Sequence, residues 1–309
     1  MAINKNGIVV CGAVFVDIKG FPLSQYIPGG RNAGKITQVH GGVCRNIVED
    51  IANLELKPTF VGLVDDTGIG TDVIDKLSHH KVNTSYMRAL PDGMGTWLAV
   101  FDNSGDVTAS ISKRPNLLPI CDILDEQGDE IFSQCDSVVF EMDIEKEIAK
   151  RLISYAKKYD KKIYCAVSNI SIAVERRDFL REIDCFICNE HEAGMLFFDD
   201  FENKTIDEMQ KLLAKHVKSA SLKSMVVTMG GDGAVWADIN GNSGYSPAKR
   251  VDVRDTTGAG DSFFAGVAAA LTYGKNITEA CEIGSRLAAS VITTTDNVCP
   301  RFLPEELGL

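Results

Sequence analysis

The chain has 309 residues, of which 45% are hydrophobic, and a formal net charge of −11. That is enough apolar matter for a sizeable core, and enough length for two domains or one large α/β domain. So acidic a chain speaks against a nucleic-acid surface, and any anionic substrate needs a local trap.

The elements run in alternation. "GIVVCGAVFVD" predicts a first strand with Asp17 at its end, and "GGVCRNIVEDIANL" a helix opening on Gly41 and Gly42. "PTFVGLV" is a strand, "GTDVIDKLSHH" a helix, "SVVFEM" a strand and "EKEIAKRLISYAKKY" a helix. Next come the strands "KIYCAV" and "CFIC", helices around "HEAGMLFF" and "IDEMQKLLAKHV", and the strand "SMVVTM". Two long helices, "AGDSFFAGVAAALTYG" and "ITEACEIGSRLAASVIT", close the pattern. Near-continuous apolar strands alternating with helices predict a mostly parallel sheet covered on both faces.

Two stretches break the rhythm. "GTWLAVFDNSGDVTASISK" holds two strand-like runs joined at Asp102–Asp106, a hairpin signal. "KGFPLSQYIPGGRNAGKITQVHGG" is too rich in Pro and Gly for a helix. Together they predict a small β lid from about 12–41 and 94–114, within a single α/β domain spanning 1–309. A flap of strands leaves an edge, and edges seek cover, so a homodimer through the lid is expected.

Nine scattered cysteines show no framework spacing, and no run approaches the roughly 18 apolar residues of a membrane span. The apolar run in the opening residues is too short for a signal peptide. A reducing cytoplasm is the expected location, with no membrane partner. Cys185 and Cys188 form C-x-x-C, but in a strand residues three apart face opposite sides, so they read as core rather than a metal or redox pair. The five histidines lack metal-ligand spacing.

The chemistry concentrates in "RDTTGAGDSFFAGVAAAL". A glycine-rich turn before a helix presents backbone N–H groups and the positive end of the helix dipole to an anion. Gly258 and Gly260 allow close approach, with Ala259 between them. Asp261 lies beside that anion hole, where the helix start favours its ionised form and a carboxylate can accept a hydroxyl proton. The plain alternative is a favourable first-turn aspartate. Asp17 suits two neighbouring sugar hydroxyls or a simple turn. Gly41 and Gly42 suit a ligand or a cap, and Asn46 lies one turn further in. Thr228, Gly230 and Gly233 form a turn that can lie against a nucleotide.

"DTTGAGDSFFAGVAAAL" resembles the C-terminal signature of the PfkB, or ribokinase-like, family of carbohydrate and nucleoside kinases. "GGVCRN", "VGLVDDTGIGTDVIDKL", "NEHE" and "VTMGGDGAV" resemble further elements of that family, in order along nearly the whole chain. The resemblance implies a ribokinase-like fold and ATP-dependent phosphorylation of a primary hydroxyl on a sugar or nucleoside. It implies Asp261 as base, with Gly258, Ala259 and Gly260 at the phosphoryl group. Asp17, Gly41, Gly42 and Asn46 would hold the acceptor, and Asn189, Thr228, Gly230 and Gly233 the nucleotide. Glu192 would serve Mg, and Asp255 with the Thr257 carbonyl and the loop "TTTDNV" a potassium ion.

"GGVCRNIVEDIANL" and the lid run are similar to the pseudouridine-kinase-like branch. The chain departs from that branch at Cys165, where it typically has Asp, and in lacking a lysine soon after Ser168. Arg31, Lys35, Lys113 and Arg114 near the lid read as solvated surface, with a substrate phosphate as the alternative. Asp255 with Asp261 also suggests a carboxylate hydrolase, against which the glycine turn between them counts. A non-catalytic sensor on a retained kinase fold is the other alternative; the intact GAGD turn counts against it. No Walker A or G-x-S-x-G string occurs.

Overall fold

The computed structural model describes residues 6–104 and 106–309. Its elements are β1 (Ile8–Cys11), β2 (Phe15–Pro22), β3 (Gly34–Gly41), α1 (Val43–Asn53), β4 (Thr59–Val64), α2 (Gly68–His79) and β5 (Asn83–Ala89). Then follow β6 (Gly95–Phe101), β7 (Val107–Lys113), α3 (Ile120–Ser133), β8 (Ser137–Glu141), α4 (Lys146–Lys158), β9 (Lys162–Ala166) and α5 (Ile170–Val174). The last part holds β10 (Cys185–Asn189), α6 (Glu190–Phe197), α7 (Ile206–Ala220), β11 (Ser224–Thr228), β12 (Ala234–Asp238), β13 (Ser243–Ser246), α8 (Ala259–Thr272) and α9 (Ile277–Ile292).

The main sheet has nine strands in the order β13-β12-β11-β10-β9-β8-β1-β4-β5. All its pairings are parallel except those of β12 and β13, which turn back along one edge. Alternate residues of β1 enter two different cores. Val9 and Cys11 face the layer of α3, α4 and α7, while Ile8 and Val10 face α1, α2, α8 and α9. Burial on both faces is why these strands are apolar throughout. Cys185 and Cys188 likewise point to opposite cores, and among the described residues no group of His, Cys, Asp or Glu is set to hold a metal ion.

The predicted first strand is two strands. β1 stops at Cys11, and Gly12 has no room for a side chain: a Cβ there would lie 2.6 Å from Cys44 Sγ and 2.7 Å from Glu141 Oε1. The chain leaves the main sheet at that point and re-forms as β2. Asp17 therefore stands on the smaller sheet, not at the end of a parallel strand as expected. That smaller sheet has the order β3-β2-β6-β7 and is built from the stretches expected to form a lid. Its β6–β7 hairpin closes with Asp102 N–H donating to Asp106 O (2.8 Å), while Gly105 of the predicted turn lies outside the described residues. The helix α3 and the strands β5 and β13 carried no signal that the sequence reading used.

Helices α8 and α9 meet at glycines. A Cβ on Gly284 would lie 2.7 Å from the Phe263 carbonyl oxygen, which is backbone and cannot move aside cheaply. The expected outcome for Gly284→Val is a loss of about 1–3 kcal/mol in urea unfolding. An unchanged midpoint would contradict this packing.

Candidate active site

Two helix N-termini converge at the carboxyl end of the main sheet. Helix α8 starts after Gly258, which is left-handed (φ 81°) and packed so closely on the Asn297 carbonyl that a Cβ would come within 2.1 Å of it. No side chain caps α8. Ala259 N–H donates to Thr256 O (3.2 Å), so the following N–H groups are the ones best placed for an anion. Helix α1 starts after Gly42 (φ 101°), whose missing side chain lets β3 cross the Ala13 carbonyl.

Asp261, in the first turn of α8, accepts a hydrogen bond from Asn46 Nδ2 of α1 at 2.7 Å. Its carboxyl is pushed up to about 7. Burial is the main cause; the Asn46 bond and Arg45 pull it down, while Asp17 and Glu192 push it up. The helix start favours the ionised form, as expected, but burial opposes it and raises the carboxyl. Asp17 is also raised by burial, which Lys19 and Arg45 partly offset. It lies against Gly41, where a Cβ would come within 2.7 Å of its carboxylate. Its cross-strand partner on β6 is Trp97, so the two share one face of the lid.

A cavity of about 570 Å³ lies along the start of α8. Thr228, Gly230, Gly231 and Gly233 form one wall, and Thr256, Ala259 and Gly260 another. Side chains built at Gly231 or Gly260 would touch no protein atom within 4 Å, and neither glycine has positive φ. Nothing in the fold demands glycine at either position, and both leave the cavity wall open.

Asn189 and Glu192 form a reciprocal capping box on α6: Glu192 N–H donates to Asn189 Oδ1, and Asn189 N–H to Glu192 Oε2, both at 2.8 Å. The N-x-x-E string thus has a structural use, and Asn189 spends its side-chain oxygen on it. Glu192 is half-buried, which raises its pKa, and it acts electrostatically on Asp261. Asp255 accepts from Thr257 N–H (2.8 Å). Burial works against it, yet the bonds from Thr257 leave its carboxyl below the usual range. Both line a separate cleft with Thr295, Asp296 and Asn297. Of the lid bases expected to be solvated, Lys113 is exposed beside the exposed Asp92, whereas Arg114 pairs with the buried Asp143 (3.0 Å).

Several residues at this end escaped the sequence reading. Glu141 and Asp143 stand where β8 ends. Glu141 Oε1 accepts from Ala13 N–H (2.6 Å) and is pushed up to about 8 by burial and by Asp143. Asp143 also accepts from the Ser168 hydroxyl (2.8 Å). Asp50 is buried and accepts from Ser262 Oγ (2.7 Å) and Cys299 N–H (2.6 Å), tying α1 to α8 and to the C-terminal segment. The acids of "FEMD" after an apolar strand were the available signal, since carboxyl ends of parallel strands line the crevice.

A family model described as pfkB family carbohydrate kinase matches residues 5–298. The chain is 35% identical to the guanosine-inosine kinase of Exiguobacterium acetylicum over 298 residues, covering 94% of this chain and 96% of the relative. It is 25% identical to the pseudouridine kinase of Escherichia coli strain K12, covering 89% and 87%. The structure of Arabidopsis thaliana ribokinase complexed with ribose and ATP superposes with a TM-score of 0.83 at 20% identity, covering 97% of this chain and 98% of that one.

Burial holds Asp50 at about 7 despite the bonds it accepts. An acid raised on folding keeps its proton in the native state while the unfolded chain loses it, so stability falls as pH rises from about 4 to 7. Asp50→Asn can still bond both partners. Its stability relative to the parent is expected to grow by up to about 4 kcal/mol between pH 4 and pH 8, at about 1.4 kcal/mol per pKa unit. Urea unfolding across that range checks it; a constant difference would contradict it.

Proposed function

The chain belongs to the pfkB family of carbohydrate kinases and is an ATP-dependent kinase of a sugar or nucleoside, and from that premise we propose that its acceptor is a nucleoside, phosphorylated on the primary hydroxyl with Asp261 as general base. The observation that carries this reading is the Asn46–Asp261 pair set between an acceptor face and an uncapped helix start. Asp17 binds neighbouring ribose hydroxyls, and Trp97 beside it offers its ring to the base, since every base has a π-face. The guanosine-inosine kinase relative supports a purine base. Cys165, fully buried in the core, offers no polar group in place of the aspartate of the pseudouridine branch.

ATP lies in the glycine-walled cavity beside Thr228, Gly230 and Gly233, with Asn189 at its edge and its phosphates toward Gly258–Gly260. The α8 amides then stabilise charge that develops on the transferring group. Family membership implies a divalent metal. A half-buried carboxylate with one oxygen outside its capping bond suits Mg, so Glu192 would hold it, directly or through water, where it neutralises phosphate charge. Asp255, the Thr257 carbonyl and the 293–298 loop suit potassium, being oxygen donors around one cleft. Asp261 takes the hydroxyl proton as the oxygen attacks the γ-phosphoryl group, and Asn46 holds the carboxylate in line.

The whole chain works as one unit with its lid. The lid's other face carries a row of cross-strand partners, Ile18, Leu98 and Ile111, of which Ile111 is 70% exposed. A second copy covering that face makes a homodimer. No helix among the described residues is long and apolar enough to cross a membrane, and nine free cysteines fit a reducing cytoplasm.

ADP release measured on guanosine, inosine, pseudouridine, adenosine and ribose should favour a purine nucleoside; turnover of ribose alone would overturn the nucleoside reading. Asp261→Asn should lower kcat by about 10²–10⁴ with both substrates still bound. Asp17→Asn should mainly raise the acceptor KM. Only ionised Asp261 can accept a proton, so kcat/KM should climb about tenfold per pH unit on the acid side and level off above about 7. A profile flat from pH 5 to 8 would remove Asp261 from the role of base.

A further inference from the structure

Arg45 is fully buried on α1 directly behind the Asn46–Asp261 pair. A buried guanidinium is costly unless its donors are used, and here both terminal nitrogens are used on parts of the site, while Nε has no partner. Nη1 donates to Asn46 Oδ1 (2.6 Å) and to the carbonyl of His40 (3.0 Å), beside the Gly41–Gly42 junction between β3 and α1. Nη2 bonds Glu49, one turn further along α1 and 1% exposed. Asn297 Nδ2 donates to the same two oxygens, His40 O (2.9 Å) and Asn46 Oδ1 (3.2 Å). With Oδ1 accepting from two donors, the Asn46 amide has one orientation open to it, and that orientation turns Nδ2 toward Asp261.

We propose that Arg45 is a positioning residue of the phosphoryl-transfer site: it fixes the amide of Asn46 against Asp261, anchors the junction between β3 and α1, and supplies the buried positive charge that the Asp261 carboxylate leans on. This rests on reading Asp261 as the base. The charged groups facing Asp261 are Arg45 and Asp50 from α1, Asp17 from β2 and Glu192 from α6. Arg45 is the one cation among them. Glu49 tempers it from the far side, and Lys76 (3.2 Å) and His80 (3.7 Å) in turn attend Glu49.

The two ends of this column should move the base in opposite directions. Arg45→Met removes the cation, so the acid limb of kcat/KM should shift up by roughly one unit. Its kcat at pH 7 should fall, the KM for ATP should hold, and activity should recover at alkaline pH. Arg45→Lys keeps the charge and loses the two-way hold on Asn46 and Glu49, so the limb should stay while kcat remains low. Glu49→Gln keeps the shape and removes the tempering anion, so the limb should shift down. A merely structural Arg45 would lower activity equally at every pH. The measurement is a pH series of kcat/KM for the parent and the three variants, on the best acceptor of the panel, with folding checked by circular dichroism. If Arg45→Met does not fold, Glu49→Gln decides alone. An unmoved limb in that variant, or in a folded Arg45→Met, overturns the proposal. Asp261→Asn in the same series separates the two failures. If it retains turnover, the base reading itself is wrong; if it is inactive while the limbs stay put, only the role of Arg45 falls.

Discussion

The cleft depends on one half-buried hydrogen bond, Asn46 Nδ2 to Asp261 Oδ2, which joins the N-termini of α1 and α8. Each helix arrives from a different part of the chain, and each begins at a glycine with positive φ. Their dipoles place partial positive charge on the same small volume, where Asp17, Asp50, Asp261 and Glu192 also gather. So many partly buried carboxylates repel one another and lean toward their protonated forms. Arg45, the two helix starts and the amides of Asn46 and Asn297 offset that strain. An incoming phosphate is attracted by the same groups.

The surroundings follow from this constraint. The C-terminal segment is held where Cys299 N–H meets Asp50 and Asn297 meets His40 and Asn46, so the last residues before 301 complete a site begun near residue 40. The smaller sheet joins α1 through Gly41–Gly42, close to Asn46, and Arg114, just past β7, pairs with Asp143. In the proposed reading, closure over a nucleoside excludes water and strengthens each of these interactions.

Much of the fold was legible because parallel strands buried on both faces must be apolar, and helices between them must be periodic. The smaller sheet was legible through turn residues and a hairpin. Gly12 was not: it looks like one more small residue in an apolar run, and only the crowding of Cys44 and Glu141 reveals why the strand breaks there. The two glycine turns and Asp261 stood out because they interrupt helical patterns with no local need. Arg45, Glu49 and Asp50 did not, since charged residues inside a helix normally face water, and their burial depends on α8 packing across α1. The N-x-x-E string has two meanings at once: a capping box, which the structure displays, and a metal site, which remains a proposal.

A crystal structure with a nucleoside and a non-hydrolysable ATP analogue tests the central claim most directly, namely that the meeting of α1 and α8 places a base and an anion hole around one reacting atom. The account predicts the acceptor's primary hydroxyl about 2.6–3.2 Å from the Asp261 carboxylate, with the terminal phosphate on the amides at the start of α8. A nucleoside whose primary hydroxyl points away from Asp261, or a terminal phosphate bound elsewhere, would contradict it.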